Sequence, residues 1–240
     1  MMLNINENAM AAQPLFDIGN VILEPTPTFA RIKGRTHGWL PLLLLILSSL
    51  AVAMWWVNST DFVWLREQIM IGHTDAKPEI RAAMEHSLTP TFLMWSTGLT
   101  TVLGTPLVFA ASALYYFLAG KVMGAPIGFG KWFGFAAWVS VPRLLALPLS
   151  ALQILTSHGR VTMEDLSMVS LNYLVFHLPQ SSPWAGLLYS IDLPAIWTVA
   201  LSVIGLRVWT GRSTGACATA ALIPWAIVYG LWAAKIAFVG

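Results

Sequence analysis

Apolar residues fall into five long runs, at about 39–57, 91–119, 132–156, 184–207 and 217–238, separated by shorter polar stretches. A bilayer crossing needs roughly 20 mainly apolar residues, and each run meets that length. Inside hydrocarbon the backbone must satisfy its own hydrogen bonds, so runs of this kind predict helices and exclude an open sheet edge. The expected fold class is all-α: a polytopic membrane protein with five transmembrane helices. Composition agrees, since 57% of the 240 residues are hydrophobic and 10% charged, against about a quarter charged in soluble domains. Residues 1–30 are polar and acidic before they are basic, unlike a signal peptide, so the first span is expected to be retained.

Lys and Arg counts predict orientation. Arg31, Lys33 and Arg35 precede the first run, Lys121 and Lys131 flank the gap between the second and third, and Arg207 and Arg212 lie between the fourth and fifth. The opposite loops carry Arg66, Lys77, Arg81 and Arg160 among a larger number of acids, including Asp61, Glu67, Glu79, Glu164 and Asp165. The basic loops are therefore expected in the cytoplasm, with the N-terminus inside and the C-terminus on the outer face. The expected domain organisation is a cytoplasmic tail over 1–38 and a five-helix membrane domain over 39–240, with outer-face loops at 58–90 and 157–183. Trp39, Trp55, Trp56, Trp132, Trp184, Trp209 and Trp232 sit near the run ends, as in an interfacial aromatic belt.

The loops and tail carry helical signals of their own. Asp75 and Pro78 suit the start of a short helix with Ile80, Met84 and Leu88 on one face. Thr162 and Asp165 resemble a capping box, predicting a helix through about His177. In the tail, Leu15, Ile18 and Ile22 share a helical face before the Pro-rich turn EPTPTF, which makes them the expected docking element for a protein partner.

Two charges interrupt the apolar runs. Arg143 follows Pro142 in the third run, and Asp192 lies in the fourth. At 1.5 Å per residue Arg143 is about 18 Å from Lys131 and Asp192 about 22 Å from Arg207, so straight antiparallel helices would hold them at similar depth. A lone charge at mid-bilayer costs about 2.5–3.5 kcal/mol on insertion scales. Mutual pairing of Arg143 with Asp192 is the expected remedy, and the alternative is a ligand, ion or proton site built on the same two groups. Thr97, Thr101 and Thr105 form a hydroxyl row on the second run and are the expected polar neighbours, equally suited to close helix packing and to lining a cavity.

Little else carries chemistry. His73, Glu85, His86, His158 and His177 lack the compact helical spacing of a zinc protease, and a single cysteine, Cys217, excludes a thiolate-paired zinc site and an internal disulfide. Cys217 is expected as a small buried side chain. No nucleophile elbow, phosphate loop or dinucleotide turn occurs, so no catalytic residue, metal or cofactor is expected. A net charge of +2 with scattered cations argues against nucleic acid.

The order of three segments resembles the Yip domain family, named for Ypt/Rab-interacting proteins. They are PTPTFARI (25–32) leading into WLPLLLLILSSL, GKWFGFAAWVSVPRLL (130–145), and SIDLPAIWTVALSVIGLRVWTGRSTGACATAALIPW (190–225). The resemblance implies a cytoplasmic tail, five spans and almost no outer C-terminal tail, with prokaryotic members nearest. Eukaryotic relatives act in vesicle traffic at the endoplasmic reticulum and Golgi and associate with small GTPases; the present tail offers FDIGN and EPTPTF in place of their DLYGP-like motif. The expectation is a non-enzymatic membrane organiser or partner-binding component of a bacterial inner membrane, or of the endoplasmic reticulum or Golgi if the source is eukaryotic. Its expected partners are membrane lipids, a protein bound through the tail, and further copies of itself. The alternative function is lipid or small-solute binding and transport through the polar mid-membrane site.

Overall fold

The computed structural model describes residues 15–34, 38–71 and 77–239. Helix α1 covers 15–23 and α2 covers Pro25–Lys33. Five stretches are long and apolar enough to cross a membrane: Trp39–Ser59, Pro90–Val122, Phe129–Thr156, Leu193–Thr210 and Thr214–Phe238. They contain α3 (Trp39–Ser59), α6 (Pro90–Leu99) with α7 (Thr105–Val122), α8 (Phe129–Val139) with α9 (Leu147–Thr156), α11 (Leu193–Thr210) and α12 (Thr214–Val239). Shorter helices α4 (Phe62–Ile71), α5 (Pro78–Ser87) and α10 (Ala185–Ser190) lie between spans. Among the described residues there is no strand beyond one isolated bridge.

Prolines decide where the α-helical pattern yields. The second span opens with Thr89 as cap, its hydroxyl accepting the Phe92 N–H at 3.1 Å, and Pro90 in the first turn, where a missing N–H costs nothing. Further along, Pro106 cannot donate and crowds the carbonyl one turn back. The preceding Thr100–Gly104 segment widens into a π-helix. In the third span Pro142 lies within a 3-10 segment, Val141–Ala146, where the Arg143 N–H bonds the Ser140 carbonyl at 3.1 Å. Pro148 then sits in the first turn of α9.

The fourth span differs from the single 184–207 helix expected from hydropathy. α10 ends at Ser190, and Ile191 and Asp192 are extended in an antiparallel bridge to Ser170. The Leu171 N–H bonds the Ile191 carbonyl at 2.7 Å, and the Leu193 N–H bonds the Val169 carbonyl at 3.2 Å. A helix beginning at Leu193 would leave its first N–H groups without intrahelical partners. Val169 takes one of them, and Pro194 has none to offer. The same bridge ends the helix expected from Thr162. The Thr162 hydroxyl accepts the Asp165 N–H at 3.3 Å, as an N-cap does, and donates to the Asp165 carboxylate at 2.8 Å, yet it opens only a 3-10 turn, Glu164–Leu166, followed by a π turn at Asn172–Phe176. Of the loop helix expected near Asp75, α5 is present with Pro78 in its first turn; Ile80 is exposed and Met84 and Leu88 half-buried, and Asp75 lies outside the described residues.

The chain forms two compact units. The first comprises Met1–Leu45, Pro106–Arg143 and Pro194–Ile227. Its core is aromatic: Phe135 lies 5.0 Å from Trp209, 5.0 Å from Tyr116, 5.4 Å from Trp132 and 5.7 Å from Phe29, ring centre to ring centre. Close approach is possible only because glycine faces these rings. A Cβ on Gly205 would stand 2.5 Å from the Phe135 ring, and one on Gly38 would stand 2.2 Å from the Gly134 Cα. Small residues at such crossings are how membrane helices gain packing contact when lipid supplies no hydrophobic drive. Cys217 is fully buried in this unit.

The second unit comprises Ile46–Thr105, Leu144–Leu193 and Val228–Gly240. Its core gathers Trp56, Val57, Leu65, Ile154, Val161 and Leu166. The Trp56 indole N–H bonds the Val161 carbonyl at 2.9 Å, and the Asp61 N–H bonds the Gly159 carbonyl at 2.8 Å. Gly159 has a left-handed φ of +80° and a Cβ there would meet the Ser59 carbonyl at 2.6 Å, so only glycine fits this turn. The expected aromatic belt is thus split. Trp39, Trp55, Trp184 and Trp232 are exposed, while Trp56, Trp132 and Trp209 are core residues.

Candidate functional site

The strongest polar constellation lies on the tail and the span ends of the first unit. α1 is held to α2 by Asp17, whose side chain is 2% exposed; the Arg31 guanidinium donates to its Oδ1 at 2.8 Å from one terminal nitrogen and 3.2 Å from Nε. The same guanidinium reaches the Thr28 hydroxyl at 2.9 Å, and that hydroxyl donates to the Glu24 carbonyl at 2.8 Å. A buried carboxylate stripped of its partner typically costs 3–5 kcal/mol, so this contact fixes the angle between the two helices.

α2 is in turn tied to the spans. The Trp209 indole N–H donates to the Phe29 carbonyl at 3.0 Å, the Lys33 ammonium to the Trp209 carbonyl at 2.8 Å, and the Lys131 ammonium to the Lys33 carbonyl at 3.0 Å. Arg212 Nε donates to the Met123 carbonyl at 2.6 Å. These cations thus satisfy carbonyls at helix ends, where the dipole is negative.

The residues expected to dock a partner are distributed unequally. Leu15 is 61% exposed, whereas Ile18 and Ile22 are half-buried. Asp17 and Val21 are the buried positions of α1, and Phe16 and Leu23, at 68% and 80% exposed, extend the open apolar face beside Leu15. Helical periodicity places Leu15, Phe16, Ile22 and Leu23 within a single arc opposite Asp17 and Val21.

Among the mid-span residues, Thr97, Thr101 and Thr105 are all half-buried and follow one another through α6, the π segment and the start of α7. Arg143 is exposed on its 3-10 segment and closes a stretch of the first unit; Asp192 is half-buried at the bridge, immediately before α11, in the second. Asp192 therefore lies at the end of a span instead of inside one.

In the second unit the Tyr189 hydroxyl donates to Asp165, and burial together with that carboxylate pushes the phenol up to about 12, so it remains a donor. Asn172, almost fully buried, accepts the Leu178 N–H and donates to the Leu178 carbonyl, both at 3.0 Å. The Trp64 N–H at 3.2 Å, followed by Arg160, holds the Asp61 carboxyl below its usual range. His158 and His177 occupy left-handed backbone positions at φ 52° and 53°, as turn residues. His73, and the side chains of Glu85 and His86, lie outside the described residues.

Sequence reasoning missed the Asp17–Arg31 pair, because an acid 14 residues from its base carries no spacing signal across the Pro-rich turn. It also missed the burial of Trp132 and Trp209. Gly134, two residues after Trp132, and Gly205, one turn before Trp209, were the available clue.

The Yip1 domain family model matches residues 19–234, from inside α1 to near the end of α12. Membrane protein YknW of Bacillus subtilis (strain 168) is 24% identical over 228 residues, covering 95% of this chain and 93% of that protein. No solved structure matches. With five helices apolar enough to cross a bilayer and a family match over most of its length, this chain is a multi-pass bacterial membrane protein belonging to the Yip1 domain family.

Proposed function

We propose that the protein is a non-enzymatic membrane organiser that presents its N-terminal helices in the cytoplasm of a bacterial cell to a protein partner. The observation that carries this reading is the open apolar face of α1, Leu15, Phe16 and Leu23, on a helix whose opposite side is fixed by the buried Asp17. A rigid mount lowers the ordering cost of binding, and exposed aliphatic and aromatic side chains supply the contact. Ile18 and Ile22, half-buried, frame the same surface.

The cytoplasmic placement rests on charge. The segments before the first span, between the second and third, and between the fourth and fifth carry Arg31, Lys33, Arg35, Lys121, Lys131, Arg207 and Arg212, whereas the other two loops carry more acids than bases. Short basic loops stay on the cytoplasmic side. In intact cells, single cysteines in a Cys217→Ser background should react with a membrane-impermeant thiol reagent at Lys77 or Ala82 and stay unlabelled at Pro126. Labelling at Pro126 alone would reverse the orientation.

Replacing Leu15, Phe16 and Leu23 together by serine should abolish cross-linking between the tail and its partner in whole cells while membrane insertion is kept. Retention of the same cross-linked species would contradict the docking role.

A further inference from the structure

The last turn of α11 carries a feature that tail docking does not use. Ile204, Arg207 and Val208, with Thr26 from the first turn of α2, line a cavity of about 320 Å³ within the first unit. We propose that this cavity binds the phosphate headgroup of an anionic glycerophospholipid.

Depth, charge and shape converge on that ligand. Arg207 stands at the end of an 18-residue apolar span, Leu193–Thr210, which is where headgroups meet the hydrocarbon boundary. Its side chain is exposed and makes no ion pair with a described residue, unlike Arg31. A guanidinium presents paired donors that match phosphate oxygens. The exposed Thr26 side chain, also in the lining, adds a hydroxyl donor. Ile204 and Val208, one turn apart on α11, make the remaining wall apolar and continue toward the span interior, as the glycerol and acyl portion of a lipid requires. The volume lies near the lower end for small-molecule sites, sufficient for a headgroup and too small for a whole lipid. The excess of basic over acidic residues in the unit selects a negative ligand.

This assignment is independent of the partner-docking reading, and its test leaves the apolar face of α1 untouched. The full-length protein is reconstituted in phosphatidylcholine vesicles carrying a small fraction of spin-labelled phosphatidylglycerol, and its association is compared with that of spin-labelled phosphatidylcholine. The wild type should prefer phosphatidylglycerol. Arg207→Gln should lower the preference roughly fivefold, the effect of about one basic residue at a membrane surface. Arg207→Lys should retain most of it, and Lys235→Gln, in the other unit, all of it. Thr26→Trp, which fills the cavity without altering charge, should lower the preference as Arg207→Gln does, and it decides the matter if the glutamine variant does not fold. Soluble glycerophosphate should fail to displace the labelled lipid. An unchanged preference in folded Arg207→Gln or in Thr26→Trp, or displacement by soluble glycerophosphate, would overturn the proposal.

Discussion

The contact on which the first unit depends is the Trp209 indole against Phe29. Its N–H takes the Phe29 carbonyl at 3.0 Å, while its ring lies 5.0 Å from Phe135 and 5.3 Å from Trp132. Each such aromatic pair contributes about 0.5–1.5 kcal/mol beyond area burial, and the hydrogen bond about 1 kcal/mol net. The contact links α2, which lies before the first span, to the end of the fourth span and to α8. Gly205 makes room for both Phe29 and Phe135, so the short side chain and the large ring are one device. Asp17 then extends the same anchoring by one helix, through Arg31 and Thr28. The open face of α1 thus lies opposite a side held by Asp17.

The second constraint is the backbone's need for hydrogen bonds where proline denies them. The unit boundaries at Thr105/Pro106, Arg143/Leu144 and Leu193/Pro194 each fall at or beside a segment where α-helix yields to π, 3-10 or extended chain. In lipid such departures persist only when neighbouring groups supply the missing partners. Ser140 does so for the Arg143 N–H, and Val169 for the Leu193 N–H.

Hydropathy was sufficient to locate the spans because lipid imposes one requirement on every residue of a crossing helix. The first, second, third and fifth spans match their predicted limits to within about three residues. The second also starts where Thr89 and Pro90 signal a cap. The fourth misled because Trp184 to Ile191 is as apolar as α11 itself, and the bridge from Ser170 that cuts it off comes from about 20 residues upstream. Tryptophans read as a belt from position alone, whereas burial depends on what faces them: Trp132 meets Gly120 and aromatic rings, Trp209 meets the rings of Trp132 and Phe135, and Trp39 and Trp184 are exposed. The tail periodicity identified α1 as apolar on one face, but the buried register was set by Asp17, a residue that hydrophobic patterns ignore. The pocket at Arg207 was invisible for the same reason, since it joins residues 26 and 207.

The most direct measurement of the anchored tail is amide hydrogen exchange of residues 15–33 in the membrane-reconstituted protein, wild type against Trp209→Phe. The substitution keeps a ring in the aromatic cluster and removes the indole donor to Phe29 together with part of the ring. If that contact fastens the tail, exchange in α2 and α1 should accelerate roughly tenfold, the equivalent of about 1.4 kcal/mol, while α3 and α12 hold their protection. Equal protection of 15–33 in both proteins would contradict the account.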